Sequence, residues 1–292
     1  MRPLPHLMPA LITPFKESGD VDVGAHRYNV GFLTELGIAG ILIAGSTGEG
    51  PYLEPGERHQ LVKTARDTLG SATYLTCGVA AETVRQAKAM IAEAAEGGAD
   101  SALVITPTTL TRNRLPYVEG FYQVVADAAP IPILLYSVPP VTAFELPEDL
   151  VVRLSEHPNV VGMKDSGGDP VRMQRLVARV QDGFSLFTGS TQAVTLALTA
   201  GAHGAITAST NYLPQALLEL VSVATDDPIK ARSLQQCVSA VAARVEALGI
   251  PGVKAAAALA GLVPGVPRSP LRPLDPYQRS ALAEVIHNSP CN

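Results

Sequence analysis

Tryptophan is absent from the 292-residue chain, and cysteine occurs only at Cys77, Cys237 and Cys291. An odd, scattered set of thiols with no C-x-x-C pair argues against a disulfide framework and for a reducing cytoplasm as the working compartment. Pro3, Pro5, Pro9 and Pro14 interrupt the N-terminal region where the apolar core of a secretory leader would have to lie. The most apolar stretch, Ala255 to Val266, is broken by Gly261 and Pro264, so no segment reaches the roughly 20 apolar residues of a spanning helix. A soluble protein without a membrane partner is expected. Basic excess is missing too: the net charge is -5, which argues against nucleic acid. The P-loop pattern, the G-x-S-x-G elbow and a Gly-x-Gly-x-x-Gly after a strand do not occur. The six histidines show no ligand-like spacing, so no metal and no other cofactor is expected.

What is present is an alternation. Short β-rich runs begin at Leu7, Ile41, Tyr74, Ala102, Ile133, Val160, Ser185 and Ala205, with amphipathic segments between them. The spacing predicts eight strands: Leu7–Ile12, Ile41–Ala44, Tyr74–Cys77, Ala102–Ile105, Ile133–Tyr136, Val160–Lys164, Ser185–Thr188 and Ala205–Thr207. Glu54-Pro55 reads as a helix start, followed by the stripe Leu61, Val62, Ala65 and Leu69. Ala81 to Ala95 has the same character and stops at Gly97-Gly98. Eight βα units imply an α/β fold, a (β/α)8 TIM barrel over residues 1–225, with a doubly wound open sheet as the alternative. Strand signals end at Asp226. Residues 226–292 read as a C-terminal helical region with helices at Ile229–Leu248, Val253–Leu262 and Pro276–Ile286.

Sixteen arginines stand against six lysines, so each lysine can be weighed by position. Lys16, Lys63, Lys88 and Lys230 lie in polar loops or on helix faces, and Lys254 lies near the start of a helix. Lys164 alone closes an apolar strand, Val160-Val161-Gly162-Met163. Period-2 alternation puts Val160, Gly162 and Lys164 on one face and Met163 and Asp165 on the other. An inward Lys164 would sit at the catalytic end of strand six. Desolvation there would lower its pKa from about 10.4 and favour the neutral amine, the species that attacks a carbonyl to form a Schiff base. The alternative is a structural lysine paired with Asp165 or Asp169. Tyr136 ends strand five on the face of Leu134, where a phenol could relay protons or simply fill the core. Gly45-Ser46-Thr47-Gly48-Glu49-Gly50 follows strand two. Its hydroxyls and amides could hold a carboxylate, or Ser46 and Glu49 could form a helix capping box.

Together these elements resemble the dihydrodipicolinate synthase / N-acetylneuraminate lyase family of Schiff-base aldolases. The resemblance rests on Gly45-Ser46-Thr47-Gly48-Glu49, Leu135-Tyr136-Ser137-Val138-Pro139, Gly162-Met163-Lys164-Asp165-Ser166-Gly167-Gly168, Phe187-Thr188-Gly189-Ser190 and the run from Gly201 to Ile206. It spans essentially the whole chain. Within the family the motifs are most similar to 4-hydroxy-2-oxoglutarate aldolase, through these residues, the run from Leu154 to Asp169, and Gly249 to Lys254.

The resemblance implies a carbon–carbon lyase, a pyruvate-dependent class I aldolase that cleaves a 4-hydroxy-2-oxo acid to pyruvate and an aldehyde. It also implies a homo-oligomer, tetramer or dimer, binding a small 2-oxo acid. Lys164 would form the imine and Tyr136 would move protons. Ser46 and Thr47 would hold the substrate carboxylate, Ser166 would lie beside its distal part, and Gly189 and Ile206 would line the pocket by backbone. Two positions depart from the synthases of the family: Val141 stands where they usually carry an Arg, and Thr108-Thr109 stand where they carry adjacent tyrosines. Dihydrodipicolinate synthesis and sugar-acid aldol or dehydratase chemistry are the alternatives, and a non-catalytic keto-acid-binding relative is the alternative of another class.

Overall fold

The computed structural model describes residues 2–291. Eight parallel strands form one sheet: β1 (Leu7–Pro9), β2 (Gly40–Ile43), β3 (Tyr74–Val79), β4 (Ser101–Ile105), β5 (Ile133–Ser137), β6 (Val160–Asp165), β7 (Ser185–Thr188) and β8 (Gly204–Thr207). Each pairs with its neighbour in sequence, and β8 returns to β1. A parallel bridge from Ala10 to Leu42 brings β1 beside β2 and closes the ring. The architecture is therefore the (β/α)8 barrel with C-terminal helices, and the open doubly wound sheet is ruled out. All eight predicted strands are present, with ends displaced by at most three residues.

Helices cover the outer face: α1 (Val23–Glu35), α2 (Glu57–Leu69), α3 (Val84–Glu96), α4 (Leu115–Ala128), α5 (Pro139–Thr142), α6 (Glu148–Ser155), α7 (Pro170–Val177), α8 (Val194–Thr199) and α9 (Pro214–Val223). Beyond them lie α10 (Pro228–Glu246), α11 (Gly249–Leu259) and α12 (Pro276–His287). Side-chain caps set several starts, because the first amides of a helix have no partner within it. Asp22, Thr83, Asp169 and Asp227 each accept from an amide in the first turn of α1, α3, α7 and α10. Asp275 and Gln278 form a reciprocal capping box on α12. The expected start of α2 at Pro55 is corrected to Glu57: Gly56 sits at φ 90°, which a helix cannot include, and its amide donates to Glu93 instead.

The ring is filled from inside by Met8, Leu42, Tyr74, Leu103, Leu134, Phe187 and Ile206. Outside, a second cluster packs β3 to β7 against α3, α4, α6 and α7. A third runs without a break from Leu11, Phe15 and Val30 through Leu217 and Val241 to Leu282 and Ile286, so the C-terminal helices share a core with the barrel. Asn211 ties β1 to the end of β8, accepting from the Ile12 amide and donating to the Ala10 carbonyl.

One expectation about cysteine is overturned. The packing of α12 on α10 brings the Cα atoms of Cys237 and Cys291 to 5.9 Å, and the two are joined as a disulfide. The pairing was hidden because 54 residues separate them and only tertiary packing brings them together. Cys77 remains a free thiol inside the barrel wall, its pKa pushed up to about 12 by burial. Among the described residues no helix is long and apolar enough to cross a membrane.

His26 on α1 is buried, with Nε2 3.1 Å from the Leu61 carbonyl of α2, and burial lowers its pKa to about 4. Between pH 6.5 and about 4 the unfolded chain therefore binds more protons at this site than the folded one, and stability falls as pH falls through that window. Chemical denaturation at pH 7 and pH 4.5 should show a loss on the order of 2–3 kcal/mol attributable to this group. His26→Leu should flatten the decline.

Candidate active site

Lys164 and Tyr136 are paired residues on adjacent strands, and Lys164 is paired in turn with Phe187 on β7. Paired residues in a sheet present their side chains to the same face, so all three point into the barrel. Lys164 is 5% exposed, and its Nζ lies 4.8 Å from the centre of the Tyr136 ring. The alternation expected along β6 needs one correction. A register shift between Val160 and Gly162 turns Val160 outward into the cluster with Met163, while Gly162 and Lys164 keep the inner face. The structural alternative for Lys164 does not form. Asp165 faces the other way and pairs with Arg172, Nε to Oδ2 2.7 Å, and Asp169 caps α7. Among the described residues no carboxylate lies within ion-pair distance of the Lys164 nitrogen.

Gly189 closes the space beside Lys164. It follows β7, and its amide donates to the Asp165 carbonyl at 2.6 Å. A Cβ here would lie 2.7 Å from Lys164 Cε and would overlap the Ser166 hydroxyl. Gly189 thus packs against both Lys164 and Ser166. Ile206 lies on the inner face of β8 within the cluster that contains Tyr136 and Phe187.

The loop after β2 reaches the same end of the barrel. Ala44 (φ 57°) and Glu49 (φ 55°) take left-handed conformations, and Gly50 has no room for a side chain against the Ala44 carbonyl. Thr13 donates to the Gly48 carbonyl at 2.6 Å, and the buried Arg58 donates to the carbonyls of Gly50 and Gly78. Ser46 and Thr47 are half-buried, and among the described residues neither hydroxyl has a protein partner. The capping-box alternative fails: the short helical turn after Glu49 has no side-chain cap. Glu49 instead turns under the loop, where Oε1 stands 2.6 Å from Nζ of Lys254 and Oε2 accepts from the Arg268 amide at 2.8 Å. Lys254, on α11, also donates to the Val266 carbonyl at 2.7 Å. Burial lowers the Lys254 pKa and the charge of Glu49 opposes that shift. The sequence offered no sign of this second buried lysine, because α11 is apolar nearly all round and gives no face to judge from.

The sequence matches the Dihydrodipicolinate synthetase family over residues 3–289. The chain belongs to this family. A 4-hydroxy-tetrahydrodipicolinate synthase of Nitrosospira multiformis is 33% identical over 214 residues, 72% of this chain and 70% of that one. Another, of Methanothrix thermoacetophila, is 34% identical over 224 residues, 76% of this chain and 75% of that one. Among solved structures, a dihydrodipicolinate synthase of Bacillus anthracis superimposes with a TM-score of 0.94 at 26% identity, covering 99% of this chain and 100% of that one. One of Acinetobacter baumannii, complexed with pyruvate, gives 0.91 at 29% identity, covering 97% of each.

As a dihydrodipicolinate synthetase family member the chain is a pyruvate-dependent carbon–carbon lyase of the class I aldolase type. Both departures noted in the sequence lie at its surface. Val141 is 66% exposed on α5. The amides of Thr108 and Thr109 both donate to Glu82 Oε2, at 3.2 and 3.0 Å, and next to them Leu110 is 86% exposed. Behind this loop Thr106 donates to the Tyr136 carbonyl and bonds the Tyr122 hydroxyl, which fixes the end of β5. The sequence reasoning missed one further group. Glu246, the last residue of α10, accepts through Oε1 from the hydroxyls of Thr191 (3.0 Å) and Tyr212 (3.2 Å).

Two outcomes test this geometry. Glu49→Gln leaves Lys254 buried without its counter-charge and should destabilise the fold by about 3–5 kcal/mol, read from urea denaturation. Gly189→Ala should leave the fold intact by circular dichroism and displace the Lys164 side chain, lowering kcat/KM at least about tenfold.

Proposed function

We propose that Lys164 forms an imine with the keto carbon of pyruvate, and that the enzyme makes or breaks a bond between pyruvate C3 and an aldehyde carbon. The observation that carries this reading is the position of Lys164: buried in the barrel mouth, against the Tyr136 ring, with no carboxylate among the described residues within ion-pair distance. In the condensing direction the amine attacks C2, the carbinolamine loses water, and the resulting iminium draws electrons from C3 as a proton leaves. The enamine then attacks the aldehyde, and hydrolysis frees Lys164. Tyr136 carries protons to and from the aldehyde oxygen. The free hydroxyls of Ser46 and Thr47 receive the pyruvate carboxylate, Ser166 lies beside the distal part of the substrate, and the backbones of Gly189 and Ile206 shape the pocket. The barrel of residues 1–225 carries all of these groups, the helical region 226–292 packs against it, and the enzyme works as a homo-oligomer without a metal.

For the aldehyde, the names of the relatives favour aspartate semialdehyde, hence the dihydrodipicolinate synthase reaction, over cleavage of 4-hydroxy-2-oxoglutarate. One observation favours the cleavage as a second reading: exposed Val141 offers no cation to a second carboxylate. Borohydride reduction with pyruvate present should add a fixed adduct to Lys164 by peptide mass spectrometry. Lys164→Arg should show none and retain no measurable activity, since its guanidinium does not become a neutral amine. Wild-type protein that stays unmodified would refute the imine. Product assays with pyruvate plus aspartate semialdehyde, and with 4-hydroxy-2-oxoglutarate alone, separate the two readings.

A further inference from the structure

Above the mouth, four buried hydroxyls stand in series. Thr210 and Thr207 are 2.8 Å apart, Thr207 and Ser209 3.0 Å, and Ser209 and Thr191 2.7 Å. Thr191 continues the series to Glu246. All four are at most 1% exposed, whereas Glu246 as a residue is exposed to solvent. The chain therefore has a dry end at β8 and a wet end at a carboxyl group. Thr191 donates to Glu246 and Ser209 donates to Thr207, so the bond to the carboxyl group is the one that favours its ionised form. One member of the series lies in the turn that packs on the Lys164 side chain. Thr191 is two residues beyond Gly189, whose Cα packs on Lys164, and the positive charge of Lys164 acts on the Glu246 carboxyl.

We propose that Glu246 is a positioning residue for the imine chemistry: its carboxylate, held by Thr191 and Tyr212, balances the cation formed at the Lys164 nitrogen. The inference rests on the imine assigned to Lys164 above. No bond to Glu246 forms or breaks in the cycle; the carboxylate stabilises the iminium electrostatically, and its only exchange is a proton with water.

The groups around it leave its charge state legible. The end of the side chain turned toward Thr191 and Tyr212 is desolvated, which raises its pKa, while those two hydroxyls and Lys164 lower it. Tyr212 is held far above its ordinary pKa by burial and by Glu246 itself, so it remains a donor. On the helices packed against α10, Glu219 of α9 is paired with Lys230 and Lys254 of α11 with Glu49. Glu284 and His287 of α12 are outward residues near the chain's end, and Arg244 on α10 itself is exposed.

The test uses the full-length protein with pyruvate alone, following deuterium exchange at pyruvate C3 by NMR across pH, with borohydride trapping in parallel. Wild-type exchange should rise with pH through the ionisation of Glu246. E246Q should still be trapped on Lys164, exchange about tenfold more slowly at neutral pH with pyruvate KM changed less than about threefold, and lack the acidic limb. T191V removes a bond that favours the ionised form, so its limb should move to higher pH, a shift that damage to packing would not produce. T191V also answers if E246Q does not fold. Superimposable profiles for wild type, E246Q and T191V overturn the inference with the imine intact. Wild-type protein that is never trapped overturns the imine and this inference with it.

Discussion

Lys164 can lie across the barrel mouth only because the neighbouring strand ends in a residue without a side chain. The inner face of a closed eight-stranded ring is crowded, and each side chain placed there excludes another from the same layer. At the level of Lys164 the ring already holds Tyr136 and Phe187. Gly189 supplies the missing volume, and its amide fixes the end of β7 to β6 through the Asp165 carbonyl. The side chain is thereby packed between the Tyr136 ring and Gly189. A lysine held this way loses rotamer freedom when the protein folds rather than when it reacts, so the folding energy of the barrel bears the entropy that orientation requires.

The loop that completes the mouth depends on the helices furthest from it in sequence. Glu49 is buried with Lys254, and Arg268 stacks over the same Phe15 ring that Lys254 approaches while pairing with Glu57. Burying two charges is unfavourable, and their attraction repays it only when the remaining polar atoms are also satisfied. Here the Val266 carbonyl and the Arg268 amide provide those partners. An apolar pair would fill the volume equally well but would not fix the register of the loop against α11. The ion pair ties the conformation of Ser46 and Thr47 to the docking of the C-terminal region, which explains why that region shares the core of the barrel instead of hanging from it.

The sequence made the fold legible wherever local pattern and tertiary role coincide. Eight apolar runs separated by capped amphipathic segments admit few arrangements, and Lys164 stood out because no other lysine closed such a run. Features that arise from packing alone were not legible. The shift at Val160 depends on the register of β5, which no periodicity within β6 encodes. Gly56 ends up in a left-handed conformation that Pro55 before it conceals. Cys237 and Cys291 meet only after two helices dock. Glu246 lies on an exposed-looking helix end, and its two hydroxyl partners come from the loops after β7 and β8.

Net charge does not locate an anion site, and the arginines explain why. Arg58 is committed to backbone carbonyls, Arg172 to Asp165, Arg153 to Glu119, Arg175 to Glu148 and Arg268 to Glu57. These bonds brace loops and helix pairs, and their cations are already neutralised. At the mouth, the hydroxyls of Ser46 and Thr47 in the glycine-rich turn have no protein partner among the described residues. Such donors bind by direction more than by charge. With exposed Val141 on α5 in place of an arginine, no cation is added beside these hydroxyls from that helix.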